Sequence, residues 1–254
     1  MNDNPARSAK AYLPAALDQE FILGDSMRGV RFLLEYAKAE EHLRRWGVRS
    51  TIVVFGSARV NESQGGRRSW WYEQSRAFGR LASEKGGALA DHEGMRDNVI
   101  ATGGGPGIME AANRGAIDAG APTIGFNIRL PMEQEPNPYI TPDLSFEFHY
   151  FAMRKMHLAM RANALVVFPG GFGTLDELFE ILTLSQTEKA PRIPTVLFDR
   201  DYWTRIVNFD ALVEEGMIAS RDLELFDFAN DHQEAWDTLV SHGLCTHEPP
   251  LQEP

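Results

Sequence analysis

The sequence contains a single cysteine, Cys245, among 254 residues. This excludes intrachain disulfide scaffolds and cysteine-based metal sites, and it makes a reducing, cytoplasmic compartment the expectation. The seven histidines are scattered and form no H-E-x-x-H or similar pairing, so neither a protein-bound metal nor a cofactor is expected. Positive charge is scarce as well: 25 Lys and Arg face 36 Asp and Glu, a formal net charge of −11. That balance argues against a broad nucleic-acid surface and leaves room for a local basic pocket. Long apolar runs are missing. Thr51 to Phe55 and Ala164 to Phe168 fall far short of the ~20 residues of a membrane span, and Met1 to Ala11 carries no apolar signal core. No G-x-x-x-x-G-K-[ST] occurs, which speaks against a P-loop triphosphatase. The dinucleotide fingerprint G-x-G-x-x-G, started at Gly103, fails at Ile108.

What is present reads as a globular chain, with 43% hydrophobic and 24% charged residues. Short, continuously apolar runs alternate with helical patterns. Strands are expected at Thr51–Phe55, Asn98–Thr102, Thr123–Ile128, Leu144–Phe148, Ala164–Phe168, Pro194–Phe198 and Leu223–Phe228. Helices are expected at Ser26–Trp46, Trp70–Lys85, 107–119, Phe151–Asn163, 174–188, Tyr202–Glu215 and Asp231–His242. In the first of these Val30, Leu33, Leu34, Ala37 and Leu43 would share one face. Residues 88–97 are polar and have no clear pattern. Apolar strands alternating with helices indicate a parallel sheet covered on both faces, a doubly wound, Rossmann-like α/β domain. The expected layout is a flexible arm over 1–14, a helical extension over 15–48, one Rossmann-like domain over 49–244 and a flexible tail over 245–254.

In such folds ligands sit at the carboxyl ends of the strands. Three turns lie there. Gly56-Ser57-Ala58-Arg59 follows the first strand. Gly103-Gly104-Gly105-Pro106-Gly107-Ile108-Met109-Glu110 follows the second. Pro169-Gly170-Gly171-Phe172-Gly173-Thr174-Leu175-Asp176-Glu177 follows the 164–168 strand and opens a helix. A strand, a glycine-rich turn and a helix start form a backbone cradle for an anion, because the N–H groups and the helix dipole both point at it. The candidate anion contacts are Gly103, Gly104, Gly105, Gly107, Gly170, Gly171, Phe172, Gly173 and Thr174, with Asp176 and Glu177 as adjacent carboxylates. A lone glycine turn is a weak signal, but two in one chain favour a nucleotide or sugar-phosphate ligand.

These motifs resemble the Lonely Guy (LOG) family. The segment Pro169 to Glu177 is similar to its PGGxGTxxE signature, Gly103 to Met109 to its GGGxxGxM turn, and Arg154-Lys155 to its Arg-Lys pair on the preceding helix. The resemblance runs from about Thr51 to Glu215. It implies a phosphoribohydrolase that splits a cytokinin riboside 5′-monophosphate, or AMP, into free base and ribose 5-phosphate. It also implies Arg154 and Glu177 as catalytic residues, and Lys155, Gly171, Gly173, Thr174 and Thr183 as substrate contacts. Family members are at least dimers, so a homodimer or larger homo-oligomer is expected. Many members are labelled lysine decarboxylases, and no residue context here marks a Schiff-base lysine. Relatives include molybdenum-cofactor carriers, so a non-catalytic nucleotide or cofactor carrier is the rival reading. The sequence departs from the family at Asp176, where a Glu-Glu pair is usual, and at Leu184 to Glu188, which replace a Trp-x-Gln-Leu-Gly stretch. The N-terminal helix, Phe126-Asn127 and the Glu133-Gln134-Glu135 loop resemble a longer bacterial branch. Gly56, Ser57 and Glu133 are further candidate contacts.

Each residue also has a plainer reading. Thr174-x-x-Glu177 has the spacing of a capping box. Met153, Met156 and Met160 read as the buried stripe of their helix, leaving Arg154, His157 and Arg161 on an adjacent, solvated one. His157 is expected to be structural. A helical Thr183 can simply bond its own backbone. Asp91, His92 and Glu93 read as solvent-exposed loop residues, and Trp70-Trp71-Tyr72 as core or subunit interface.

Overall fold

The computed structural model describes residues 6, 9–89, 93–129 and 135–244. Asp91, His92, Glu133, Cys245 and the expected tail lie outside the described residues. Those described form one sheet of seven parallel strands: β1 (Thr51–Phe55), β2 (Val99–Thr102), β3 (Ile124–Ile128), β4 (Ser145–Phe148), β5 (Ala162–Val167), β6 (Thr195–Phe198) and β7 (Asp227–Ala229). Their order is β4-β3-β2-β1-β5-β6-β7. The helices are α1 (Gln19–Leu23), α2 (Arg28–Arg45), α3 (Gly66–Lys85), α4 (Ile108–Asp118), α5 (Phe151–Met160), α6 (Phe172–Gln186), α7 (Arg200–Ile206), α8 (Phe209–Glu214) and α9 (His232–Ser241). This is the Rossmann-like α/β architecture expected from the alternating pattern.

The apolar runs are continuous because successive side chains enter two different cores. Val53, Phe55, Leu165, Val167 and Leu197 point to one face, against Leu43 of α2, Leu158 of α5, Leu178 of α6 and Trp203 of α7. Ile52, Val54, Val166, Phe168 and Val196 point to the other, against Phe78 of α3, Ile108 of α4 and Leu239 of α9. From β1 the sheet grows through β2 to β4 on one side and through β5 to β7 on the other. The carboxyl ends of β1 and β5 therefore flank the point where the winding reverses, and there the chain leaves a crevice.

Several elements differ from expectation. The helix expected to reach Asn163 ends at Met160, and Ala162 and Asn163 belong to β5, where Ala162 aligns with Thr51. Pairing with β1 overrides the local helical preference of Met-Arg-Ala-Asn. The helix expected over 202–215 is two, broken at Val207, which is extended, and restarted at Asn208, whose side chain accepts the Ala211 N–H. The last strand is Asp227–Ala229, preceded by a 3-10 turn over Ser220–Leu225. In α2 the face turned inward is Phe32, Tyr36, Ala39 and Leu43; Val30, Leu33, Leu34 and Ala37 are exposed. No helix of the described residues is long and apolar enough to cross a membrane.

Candidate active site

The crevice is a cavity of about 710 Å³, walled by the turn after β1, the start of α6 and Arg154 of α5. Its most open backbone is the second glycine turn. Gly171 is the N-cap of α6 and offers no side-chain cap, so the Phe172 and Gly173 N–H groups have no helical partner, while the Thr174 N–H donates to the Gly171 carbonyl. Gly170 is pinned from behind: Thr174 packs against its α-carbon, and the Tyr202 hydroxyl of α7 donates to its carbonyl at 2.6 Å. Gly171 and Gly173 differ from Gly170. A β-carbon on either would meet no protein atom within 4 Å, and neither backbone has a positive φ. Nothing in the protein itself requires glycine at those two positions, and both line the cavity. Phe172, between them, is 92% exposed at the rim.

The first glycine turn is occupied by its own protein. Thr102 Oγ1 accepts the Gly104 N–H, Asn137 Nδ2 donates to the Gly104 and Gly105 carbonyls, and Ser57 O accepts the Ile108 N–H at the start of α4. Gly104 has φ +73° and sits against Asn127, and Gly107 has φ +77° and sits against Ser57. Of its glycines Gly103 alone lines the cavity, as does Met109 further along the turn; Gly104, Gly105 and Gly107 brace it from inside.

Arg154 lies in the first turn of α5, and its Nη2 donates to Glu177 Oε1 of α6 at 2.6 Å. The side chains are 12% and 4% exposed, and the Phe151 ring stacks under the guanidinium. Arg154 faces the cavity and Glu177 stands behind it. Burial pushes the Glu177 carboxyl above the usual glutamate value, although the Arg154 and Lys155 charges pull the other way. α6 begins at Phe172, so Thr174 is its third residue rather than its cap, and Glu177 bonds Arg154 rather than a helix end. The capping-box alternative therefore does not hold.

Lys155 points to the other side of α6. Its Nζ contacts Asp176 Oδ2 and Glu180 Oε2, each at 2.8 Å. Burial disfavours the ammonium, but the Asp176 and Glu180 carboxylates outweigh it and raise its pKa. Lys155, Asp176 and Thr183 share a shallow groove adjoining the cavity at Phe172 and Leu175. Thr183 Oγ1 donates to the Phe179 carbonyl, the plainer of its two readings. The α5 stripe is the reverse of expectation: His157 and Leu158 are buried, Arg154 and Arg161 are nearly so, and the three methionines are half-exposed. His157 packs among Tyr36, Phe126 and Phe148, and burial together with Arg161 holds its pKa down. That is a structural position. Tyr72 is core, and Trp71 Nε1 donates to Asp199.

The structure thus brings together Gly56, Ser57, Gly103, Arg154 and the run Gly170 to Thr174, with Glu177 directly behind Arg154. Sequence reasoning missed Arg59, Asn127, Tyr202 and Asn137. Two left a usable signal: Arg59 closes the turn after β1, and Asn127 is a polar residue near the carboxyl end of an apolar strand. Tyr202 and Asn137 act at the site through long-range contacts that no local pattern encodes. Among the described residues no cluster of three or more His, Cys, Asp or Glu is arranged to hold a metal ion.

Comparison with known proteins adds family context. A family model described as possible lysine decarboxylase matches residues 109–239, just over half of the chain. The chain is 28% identical over 155 residues to the cytokinin riboside 5′-monophosphate phosphoribohydrolase LOG3 of Arabidopsis thaliana, covering 59% of this chain and 70% of that one. It is 30% identical over 172 residues to the probable phosphoribohydrolase LOG6 of the same plant, covering 62% and 85%. A structural-genomics X-ray structure of the protein TM1055 shares the fold with a TM-score of 0.54 and 23% identity, over 76% of this chain and 99% of that one.

Proposed function

The chain belongs to the Lonely Guy family, and from that membership we propose that it is a phosphoribohydrolase, cleaving a purine nucleoside 5′-monophosphate to free base and ribose 5-phosphate. The observation that carries the reading is the buried Arg154–Glu177 pair at the wall of the cavity that the α6 N-terminus opens into. In this reading the open N–H groups of Gly171, Phe172 and Gly173 seat the 5′-phosphate. The phosphate anchors the sugar beside Arg154 and fixes its orientation. Breaking the C1′–N bond sends its electron pair to the base and leaves an oxocarbenium-like ribose. Water adds its oxygen to C1′, and its proton balances the charge of the departing base. Arg154 bonds the ribose hydroxyls or the base as it gains electrons. Drawn toward substrate, it uncovers the Glu177 carboxylate, which stabilises the positive sugar and activates the water. Lys155 holds Asp176 and Glu180 along the outer face of α6, and no decarboxylase chemistry is assigned to it.

The test is a panel of nucleotides and nucleosides with free base read by chromatography. We expect base and ribose 5-phosphate from a monophosphate such as AMP or an N6-substituted analogue, and scarcely any from the nucleoside. Equal rates on both would overturn the phosphate anchor. Tight binding with every nucleotide left intact would establish the carrier reading instead. We also propose that the chain works as a homodimer or larger homo-oligomer.

A further inference from the structure

Two cationic residues line the cavity, Arg59 and Arg154. Arg154 is committed to Glu177, so that pair is neutral as a unit. Arg59 is held by its backbone only: its N–H donates to Ser57 Oγ at 3.1 Å, and its carbonyl accepts from Gln64 Nε2 at 2.9 Å. The residue is exposed, and among the described residues no carboxylate pairs with its guanidinium. A loop fixed on both sides therefore presents a free guanidinium to the same cavity that the α6 N-terminus enters. Lys155 is the nearest rival, and it is doubly paired on the other side of α6.

The charge balance shows what Arg59 is for. A phosphate monoester carries roughly −1.5 to −2 at pH 7, while a helix N-terminus supplies only about half a positive charge. The molecule as a whole, at −11, repels the anion. A further full positive charge is needed inside the cavity, and Arg59 is the lining cation free to give it. The planar fork of a guanidinium matches two phosphoryl oxygens at once. We propose that Arg59 is the specificity-determining cation of this site, binding the phosphoryl oxygens of a dianionic phosphate monoester seated at the start of α6 and thereby selecting nucleotides over nucleosides. The proposal rests on the phosphoribohydrolase reading.

The experiment compares wild type, Arg59→Gln and Arg59→Lys. Ribose 5-phosphate binding is measured by calorimetry, kcat/KM is measured on AMP and adenosine, and folding is followed by circular dichroism. Arg59→Gln should bind ribose 5-phosphate roughly 10- to 100-fold more weakly. The AMP-to-adenosine ratio of kcat/KM should fall by a similar factor, mainly through KM. Arg59→Lys, which keeps the charge and loses the fork, should fall between. Wild-type affinity and ratio in folded Arg59→Gln would overturn the assignment and leave the phosphoribohydrolase reading standing. An unfolded Arg59→Gln would also overturn it, by making Arg59 part of the scaffold. A wild type that neither binds ribose 5-phosphate nor releases base would remove the functional reading, and this one with it.

Discussion

Glu177 and Arg154 are too deeply buried for either charge to stand alone, so they must be read as a pair. Glu177→Gln keeps an acceptor for the Arg154 N–H and removes the charge. If the carboxylate acts on the sugar, turnover should fall by roughly two or more orders of magnitude with the fold intact; near-wild-type turnover would refute the assignment. The acid side of the pH profile gives a second reading. Burial raises the Glu177 pKa above 4.5, its ordinary value, so the acidic limb of kcat/KM should lie above 4.5 and disappear in the Gln variant. The stability effect has the opposite sense: the native state holds the proton more tightly, so this group's contribution is largest below 4.5 and is lost as pH rises through the raised pKa. Gly173 offers a separate test. In α6 an alanine should stabilise the helix by about 0.5–1 kcal/mol, yet it adds a methyl at a residue that lines the cavity assigned to the ligand. A higher melting temperature together with a KM raised roughly tenfold is expected for Gly173→Ala; an unchanged KM would mean the glycine does not serve the ligand. The glycine run was legible in the sequence as a cradle. Which glycines face ligand and which face protein was not, since that depends on Thr174, Asn127 and Ser57 arriving from elsewhere in the fold or the helix.

Elements at the site are placed by contacts remote in sequence. Asp199 follows β6 with φ +73°, pairs with Arg67, accepts from Trp71 Nε1 and caps α7 through the Tyr202 N–H. This fixes the start of α7, and Tyr202 then reaches Gly170. Because the peptide unit is planar and trans, holding the Gly170 carbonyl toward α7 turns the Gly171 N–H the other way. Tyr202→Phe keeps the ring contacts with Trp71 and Trp203 and drops that one bond. It should raise KM for a nucleotide roughly 3- to 10-fold, with a much smaller effect on kcat. An equal KM for variant and wild type, measured by initial rates, would show that α7 does not orient the cradle. Strands were legible at this scale because full burial on both faces writes itself as unbroken apolar runs. The α5 stripe was misread because a buried arginine and histidine have the same letters as solvated ones, and only the partners, Glu177 and Tyr36, distinguish them. The break at Val207-Asn208 was hidden because tertiary packing, rather than a glycine or proline, ends α7.

At the scale of the whole molecule, the sheet order accounts for the crevice, and the unpaired apolar surface makes the case for assembly. Leu17, Leu23, Val30, Leu33 and Leu34 are all exposed on the helical segment ahead of β1, Leu33 at 63%. Only the C-terminal half of α2, through Ala39 and Leu43, packs on the sheet. An isolated exposed leucine calls for no explanation, but four leucines and a valine on one short segment do. Across a two-fold interface these become ten half-exposed side chains, and burying them contributes on the order of 10 kcal/mol. That is of the same size as the roughly 4–15 kcal/mol cost of association, and a second copy is the partner the prediction tests. Light scattering at micromolar concentration should give at least twice the chain mass of 28.5 kDa. The Leu33→Asp, Leu34→Asp double variant should shift it toward a single chain, since both positions are solvent-facing in the lone subunit and charge there costs nothing unless a partner covers them. A wild type near 28.5 kDa with full activity would rule out the obligate dimer. A double variant that stays assembled would place the interface on another face, leaving the stripe ahead of β1 without the role argued for it.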